Sequence, residues 1–160
     1  MPRERFRTQV QADDPEVVRE IVTSSGFFSS AEIDVAVELV DEHLAKGEAS
    51  GYLFLFAHDG DRTVGYACYG PIACTTASYD LYWIAVHSDH RGHGLGQALS
   101  REVERLIAAR GGTRIYAETS SRAQYEPTRA FYERCGYARD AEMRDFYAPE
   151  DGKVVYVRVL

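Results

Sequence analysis

No stretch of this 160-residue chain approaches the roughly 20 consecutive apolar residues that a membrane-spanning helix needs. The opening, MPRERFRTQV, carries charge but none of the apolar run of a secretory leader. Both gaps point to a soluble, cytoplasmic protein with no membrane partner. Positive charge is also short, since 18 Lys and Arg against 25 Asp and Glu leave a formal net charge of -7. A protein that grips nucleic acid must neutralise a run of phosphates, and no basic footprint exists for that task, which excludes nucleic acid as a partner. Cysteine is scarce: Cys68, Cys74 and Cys135 are odd in number and lack C-x-x-C spacing. That argues against a disulfide framework and against a zinc site, and reduced, mostly buried thiols are expected. Repeats, low-complexity tracts and linkers are missing too. With 45% hydrophobic residues, the chain fits one domain over residues 1–160 with a single core.

What is present is an interleaved series of strands and helices. Arg5 to Val10 alternates as a first strand, and Asp14-Pro15 offers an N-cap with proline at the first helical position, opening a short helix to about Ser25. Ser29 and Glu32 form a capping-box pattern ahead of Ile33, Val37, Val40 and Leu44, whose spacing makes an amphipathic helix ending at Gly47. Gly51–His58 and Thr63–Gly70 read as a hairpin around Asp59-Gly60-Asp61-Arg62. Tyr79–Val86 is a strand. Gly94–Arg110 aligns Leu95, Leu99, Val103, Leu106 and Ile107 on one face before Gly111-Gly112 stops the helix. Thr113–Thr119 is a strand, Pro127–Arg134 a short helix and Gly152–Leu160 a closing strand. The order β-α-α-β-β-β-α-β-α-β implies an α+β (mixed α/β) fold, mostly antiparallel with one parallel βαβ crossover.

The crossover carries the chemistry. Strand 79–86 leads through His87-Ser88-Asp89-His90 into Arg91-Gly92-His93-Gly94-Leu95-Gly96 and then the long helix. Glycines let a ligand approach the backbone, and the first N–H groups of a helix lack internal partners, so such a turn suits a phosphate. A Walker loop is excluded because no G-K-[ST] follows. A dinucleotide fold has one point in its favour, Glu118 at about the distance of a ribose-binding acid. Against it, the glycines run G-x-G-x-G, five residues separate them from the strand, and only about forty residues follow Glu118, too few for a second mononucleotide half. A glycine turn that only packs helix on strand is the bland alternative.

The run IAVHSDHRGHGLGQAL resembles the acetyl-CoA motif [Q/R]-x-x-G-x-[G/A] of the GCN5-related N-acetyltransferase (GNAT) superfamily, matched by Arg91, Gly94 and Gly96. The later stretch TRAFYERCGY is similar to the family's A-x-x-[F/L]-Y-E-x-x-G-[F/Y] segment, with Tyr132 and Gly136 in register. The tail DFYAPEDGKVVYV resembles the closing hairpin of members that acetylate protein α-amines. The resemblance covers about the last eighty residues, while the first seventy match only in element order. It implies a GNAT-like central sheet flanked by about four helices, acetyl-CoA as cosubstrate without a metal, and an amine acceptor, either a small molecule or a peptide N-terminus.

Carried over by residue, the resemblance implies that the main chain of Ile84, Ala85 and Val86 pairs with the pantetheine arm. An N–H near Val86 would face the thioester carbonyl. The amides of Gly92, His93, Gly94, Leu95, Gly96 and Gln97 would wrap the pyrophosphate, with Arg91 either supporting the loop or pointing to solvent. Tyr125 stands where members usually have a CoA-contacting Asn, and about two extra residues separate it from Glu118. An amine attacks a thioester only when neutral, so a base must take its proton. Glu118 and Asp80 both match family positions for that base, and Tyr132 matches the donor that protonates the leaving CoA thiolate. Each has a bland reading beside it: a solvated or ion-paired carboxylate for Glu118 and Asp80, a core tyrosine for Tyr132.

His87, His90 and His93 repeat every third residue on a polar connector, where that spacing gives no shared helical face, so metal ligation is not expected. Cys135, before Gly136 at a helix end, reads as packing. Phe27, Phe28, Tyr52, Tyr66, Tyr69 and Tyr82 are expected mostly in the core, with some lining an acceptor pocket. Three functions stay open at this point: an N-acetyltransferase working on a primary amine by direct attack in a ternary complex, a protein α-amine acetyltransferase, and a non-catalytic acyl-CoA-binding sensor. Association into a homodimer is also left open.

Overall fold

The computed structural model describes residues 5–160. Seven strands and four α-helices follow in the order β1 (Arg5–Arg7), α1 (Asp14–Ser24), α2 (Ser30–Lys46), β2 (Leu53–Asp59), β3 (Arg62–Pro71), β4 (Ser78–Val86), α3 (Leu95–Ala109), β5 (Arg114–Ser120), α4 (Glu126–Arg134), β6 (Ala138–Ala148) and β7 (Asp151–Val159). The strands lie in the sheet order β1-β2-β3-β4-β5-β7-β6. The pairs β1–β2, β2–β3, β5–β7 and β6–β7 are antiparallel, whereas β4 and β5, joined through α3, are parallel. This is the mostly antiparallel α+β architecture with a parallel crossover that the element order implies. Among the described residues no helix is long and apolar enough to cross a membrane. Two compact units divide the chain, one reaching to Gly70 and including Trp83–Val103, the other made of Pro71–Tyr82 and Glu104–Leu160.

In the first unit, α1 and α2 bury Val18, Ile21, Val22, Ala36, Val37 and Val40 in one cluster with Phe54 and Phe56 of β2 and Tyr66 and Cys68 of β3. Each large side chain so buried contributes about 1.5–3 kcal/mol. α2 begins as the Ser29–Glu32 pattern requires: the Glu32 N–H donates to Ser29 Oγ at 3.2 Å and the Ser29 N–H to Glu32 Oε1 at 3.1 Å. α1 differs from expectation, because its N-cap is Asp13 and Asp14 is the first helical residue. The Asp14 carboxylate is buried and takes both Arg7 Nη1 and Nη2, at 2.8 and 2.9 Å, plus the Gln11 N–H at 2.6 Å, so it ties the strand to the helix instead of capping. Glycine at 65 permits close packing on β3, since a Cβ there would lie 3.1 Å from Leu99 Cδ1 and 3.2 Å from the Ala85 carbonyl oxygen.

In the second unit β7 is hydrogen-bonded to both β5 and β6, with Ile115, Ala117, Val154 and Tyr156 fully buried. α3 ends in a Schellman cap: Gly111 has φ +85°, its N–H donates to the Ala108 carbonyl, and the Gly112 N–H reaches back to Ile107, both at 2.9 Å. β6 corrects the element order: the residue pattern gives no strand over 138–148, and only its end, from Asp145, falls in the stretch that resembles a closing hairpin. Ten of its eleven residues are exposed, so it shows none of the apolar alternation by which a strand is read, and its place comes from the β7 ladder. A smaller correction concerns the thiols, since Cys68 is buried but Cys74 is exposed. Tyr66 and Tyr69 lie in the core, and Tyr82 is 39% exposed.

Candidate active site

The glycine turn lies in the first unit. β4 ends at Val86, and the next N–H, of His87, donates to the Val64 carbonyl of β3 at 2.8 Å. His87 is buried beside Arg62, its Nε2 3.3 Å from the guanidinium, while His90 Nε2 reaches Asp59 at 3.3 Å and the Ser88 N–H donates to Ser24 Oγ at 3.0 Å. The two histidines therefore pin the connector. Among the described residues no cluster of three or more His, Cys, Asp or Glu is arranged to hold a metal. Arg91 folds back so that its Nε donates to the Val86 carbonyl at 3.4 Å. Gly92 and Gly94 both have φ +81°, a conformation that favours glycine, and Arg91 to Gly94 are exposed. The Gly94 carbonyl accepts the Ala98 N–H at 3.0 Å, the first bond of α3, so the N–H groups of Leu95, Gly96 and Gln97 have no partner within the helix. No acidic side chain stands in that first turn. Backbone donors, the helix dipole and open glycines thus converge on a place fit for an anion.

The titratable candidates lie in the second unit. Asp80 and Tyr82 are two apart on β4 and share a strand face, and the Tyr82 hydroxyl hydrogen-bonds the Asp80 carboxylate. The parallel ladder with β5 covers Ser78–Asp80 against Arg114–Tyr116. Burial pushes the Asp80 carboxyl above its ordinary range, and the Glu118 charge raises it further, opposed by the Tyr82 hydrogen bond and by Lys153. Asp80 and Glu118 are therefore within electrostatic reach of each other. Glu118, on β5 and half exposed, meets Lys153 Nζ of β7 at 3.0 Å. That ammonium is itself mostly buried and sits 4.4 Å from the centre of the Phe146 ring. Tyr147 completes the group, its phenol raised chiefly by burial and then by Glu118, Asp151 and Tyr125.

A bulge sets these aromatics. The β6–β7 register shifts between Met143 and Ala148, where Asp145 adopts φ +55° and its Oδ1 takes the Glu150 N–H at 2.8 Å. Opposite, a Cβ on Gly152 would lie 3.0 Å from the Met143 carbonyl oxygen, so glycine admits that close approach. The segment with the two extra residues is also firmly held. Ser120 Oγ donates to Asp151, and Arg129 Nη1 donates to the carbonyls of Ser120 and Arg122 at 2.7 and 2.9 Å. Tyr125 closes this segment as the N-cap residue of α4 and is half-buried.

Tyr132 stands in a different company. It is buried on α4 among Phe131, Tyr137 and Tyr156, with ring centroids 5.4–5.7 Å apart, and burial holds its phenol far above the ordinary range, with Cys135 adding to the effect. The sequence YERCGY has a structural cause. Gly136, at φ +88°, donates to Glu133 at 3.1 Å, and the Tyr137 N–H reaches Tyr132 at 3.0 Å, a Schellman cap whose hydrophobic contact is the Tyr132–Tyr137 ring pair. Cys135, half-buried, is the C-cap residue of that turn. Sequence reasoning missed Lys153, Phe146 and Tyr147. The one available signal was period 2 on β7, which puts Lys153 and Val155 on one face, next to Glu118 in an adjacent strand.

A model of the acetyltransferase (GNAT) family matches residues 17–137. Among solved structures, a GNAT-family protein from Desulfovibrio desulfuricans is 48% identical over 98% of both chains, with a TM-score of 0.95. The ribosomal-protein-S18-alanine N-acetyltransferase from Escherichia coli is 18% identical, covering 98% of this chain and 93% of its own, TM-score 0.76. An N-acetyltransferase from Thermoplasma acidophilum solved with coenzyme A is also 18% identical, over 98% and 99%, TM-score 0.73. At that identity the last two speak for the fold alone. Among curated proteins no significant match was found.

Proposed function

The chain belongs to the GNAT family and is an acetyltransferase, and from that premise we propose that it moves the acetyl group of acetyl-CoA to a primary amine of a small molecule or peptide, by direct attack in a ternary complex. The observation that carries this reading is the Arg91–Gly94 turn at the head of α3, with two glycines at φ +81° and a first helical turn free of acidic side chains. There the amides of Gly92 to Gln97 bind the pyrophosphate, and Arg91 braces the loop through the Val86 carbonyl. The main chain of Ile84, Ala85 and Val86 pairs with the pantetheine arm, and Tyr125 takes the place of the usual CoA-contacting Asn. The family model runs through both compact units, which supports reading residues 1–160 as one N-acetyltransferase domain.

For the reaction, Glu118 takes the acceptor's proton, directly or through water, because it is the more exposed carboxylate. Asp80 is the alternative base. Its raised proton affinity suits a base, but burial and the Tyr82 hydrogen bond restrict it. Tyr132 keeps its proton through the whole working range and supplies it, as a hydrogen bond or in full, to the CoA thiolate as the sulfur leaves. A preorganised N–H near Val86 stabilises the charge that gathers on the thioester oxygen. Two carboxylates among exposed aromatics favour a cationic or amphipathic acceptor. An acceptor screen tests this: the best substrates are cationic amines, and an anionic compound turning over best would overturn the acceptor class.

A further inference from the structure

The chain has only two lysines, Lys46 and Lys153, against sixteen arginines, and Lys153 is the one placed on a candidate base. Its ammonium is 3.0 Å from Glu118 Oε1 and 4.4 Å from the centre of the Phe146 ring, and its side chain is only 14% exposed. Every element around the pair contributes a group. β4 supplies Asp80 and Tyr82, β5 Glu118, β6 Phe146 and Tyr147, and β7 Lys153 and Asp151, with Tyr125 next to Tyr147. Asp80 and Glu118 thus share this region with the Lys153 ammonium, while Asp151 takes the Ser120 hydroxyl and lies 4.0 Å from Arg122 Nη1. Surface ion pairs of this kind stabilise little, and Glu118 is 46% exposed, so fold stability is a weak explanation for the pairing. What a fixed cation does is hold the carboxylate in one orientation through a charge-assisted hydrogen bond.

We propose that Lys153 is a positioning residue for the acetyl transfer: clamped between Glu118 and the Phe146 face, it holds the Glu118 carboxylate in one orientation toward the acceptor amine. This inference rests on the assignment of Glu118 as base. Lys153 accepts no acetyl group in this role. It is a fixed charge that also opposes Asp80 beside the base. A guanidinium keeps the charge at that place, whereas an uncharged isostere leaves Glu118 without its clamp and within reach of the Asp80 charge.

The test uses the intact protein with an acceptor found by amine screening. At saturating acetyl-CoA, Lys153→Met is expected to lower kcat about tenfold to a hundredfold, as a misaimed base would, while acetyl-CoA affinity measured by calorimetry and the thermal unfolding midpoint stay near wild type. Lys153→Arg restores most of kcat. A folding defect would instead lower the unfolding midpoint and acetyl-CoA binding together. If Lys153→Met keeps wild-type kcat while Glu118→Gln loses it, the inference falls and the base assignment stands. If Glu118→Gln keeps wild-type activity, the base assignment falls and takes the inference with it.

Discussion

Gly94 and Gly51 form a matched pair for testing the cofactor site. Their φ angles are +81° and +82°, and a Cβ built on either meets nothing within 4 Å. Alanine at each position imposes the left-handed strain of about 1–2 kcal/mol. For a chain of this size that lowers Tm by about 2–8 °C, and both variants should lose a similar amount. Their environments then separate them. Gly51 closes a 3-10 turn at Gly47–Ser50, far in sequence from the α3 turn, whereas Gly94 caps the helix whose first N–H groups would take the pyrophosphate. Because the added methyl meets no protein atom, a ligand is what it can obstruct. Gly94→Ala is expected to weaken acetyl-CoA binding at least about tenfold, or about 1.4 kcal/mol, and Gly51→Ala to leave it unchanged. Calorimetric titration with acetyl-CoA beside thermal denaturation reads both quantities. Wild-type affinity in Gly94→Ala, or an equal loss in Gly51→Ala, would refute the placement of the phosphates.

Glu118→Gln should lower kcat/KM by about 10²–10⁴-fold, most strongly at low pH where little acceptor is already neutral, and a merely several-fold effect in a pH-rate series would be too small for a base. Tyr132→Phe should lower kcat while acetyl-CoA affinity measured by calorimetry stays near wild type. Since burial holds the Tyr132 phenol protonated well above pH 10, the wild-type kcat profile should show no alkaline fall from this group, and such a fall below pH 10 that vanished in Tyr132→Phe would contradict its environment. Gly112→Ala should cost about 1–3 kcal/mol in denaturant unfolding, because its Cβ would stand 2.3 Å from Ile107 Cγ2 and 2.8 Å from Tyr79 Cε2. A neutral effect would show that this corner relaxes easily.

The elements that can be read from sequence are those whose causes are local. The Ser29–Glu32 box, the Gly111-Gly112 stop and the hairpin between β2 and β3 each rest on residues a few positions apart, and each stands within two residues of where the sequence puts it. The glycine turn was legible for the same reason, since φ, capping and orphan amides all belong to one short segment. β6 was not, because an exposed strand paired on β7 has no apolar rhythm of its own. Lys153 was hidden by distance: it lies 35 residues beyond Glu118, and only the antiparallel register of β5 with β7 brings their side chains together. Tyr132 and Gly136 show the opposite hazard, where one sequence signature serves two ends. The Schellman cap and its ring contact account for the spacing without any chemistry, and the catalytic assignment of the hydroxyl must rest on kinetics.

The central claim is that acetyl-CoA is consumed only by passing its acetyl group to an amine. Incubating the protein with acetyl-CoA and a panel of primary amines, while following free CoA with a thiol reagent and the acceptors by mass spectrometry, measures both halves of that transfer at once. The account predicts CoA release in step with acetylated amine, reduced in Gly94→Ala at limiting acetyl-CoA in proportion to its weaker binding and strongly reduced in Glu118→Gln. Binding of acetyl-CoA, seen as thermal stabilisation, with neither CoA release nor acetylated product across a broad panel would contradict it.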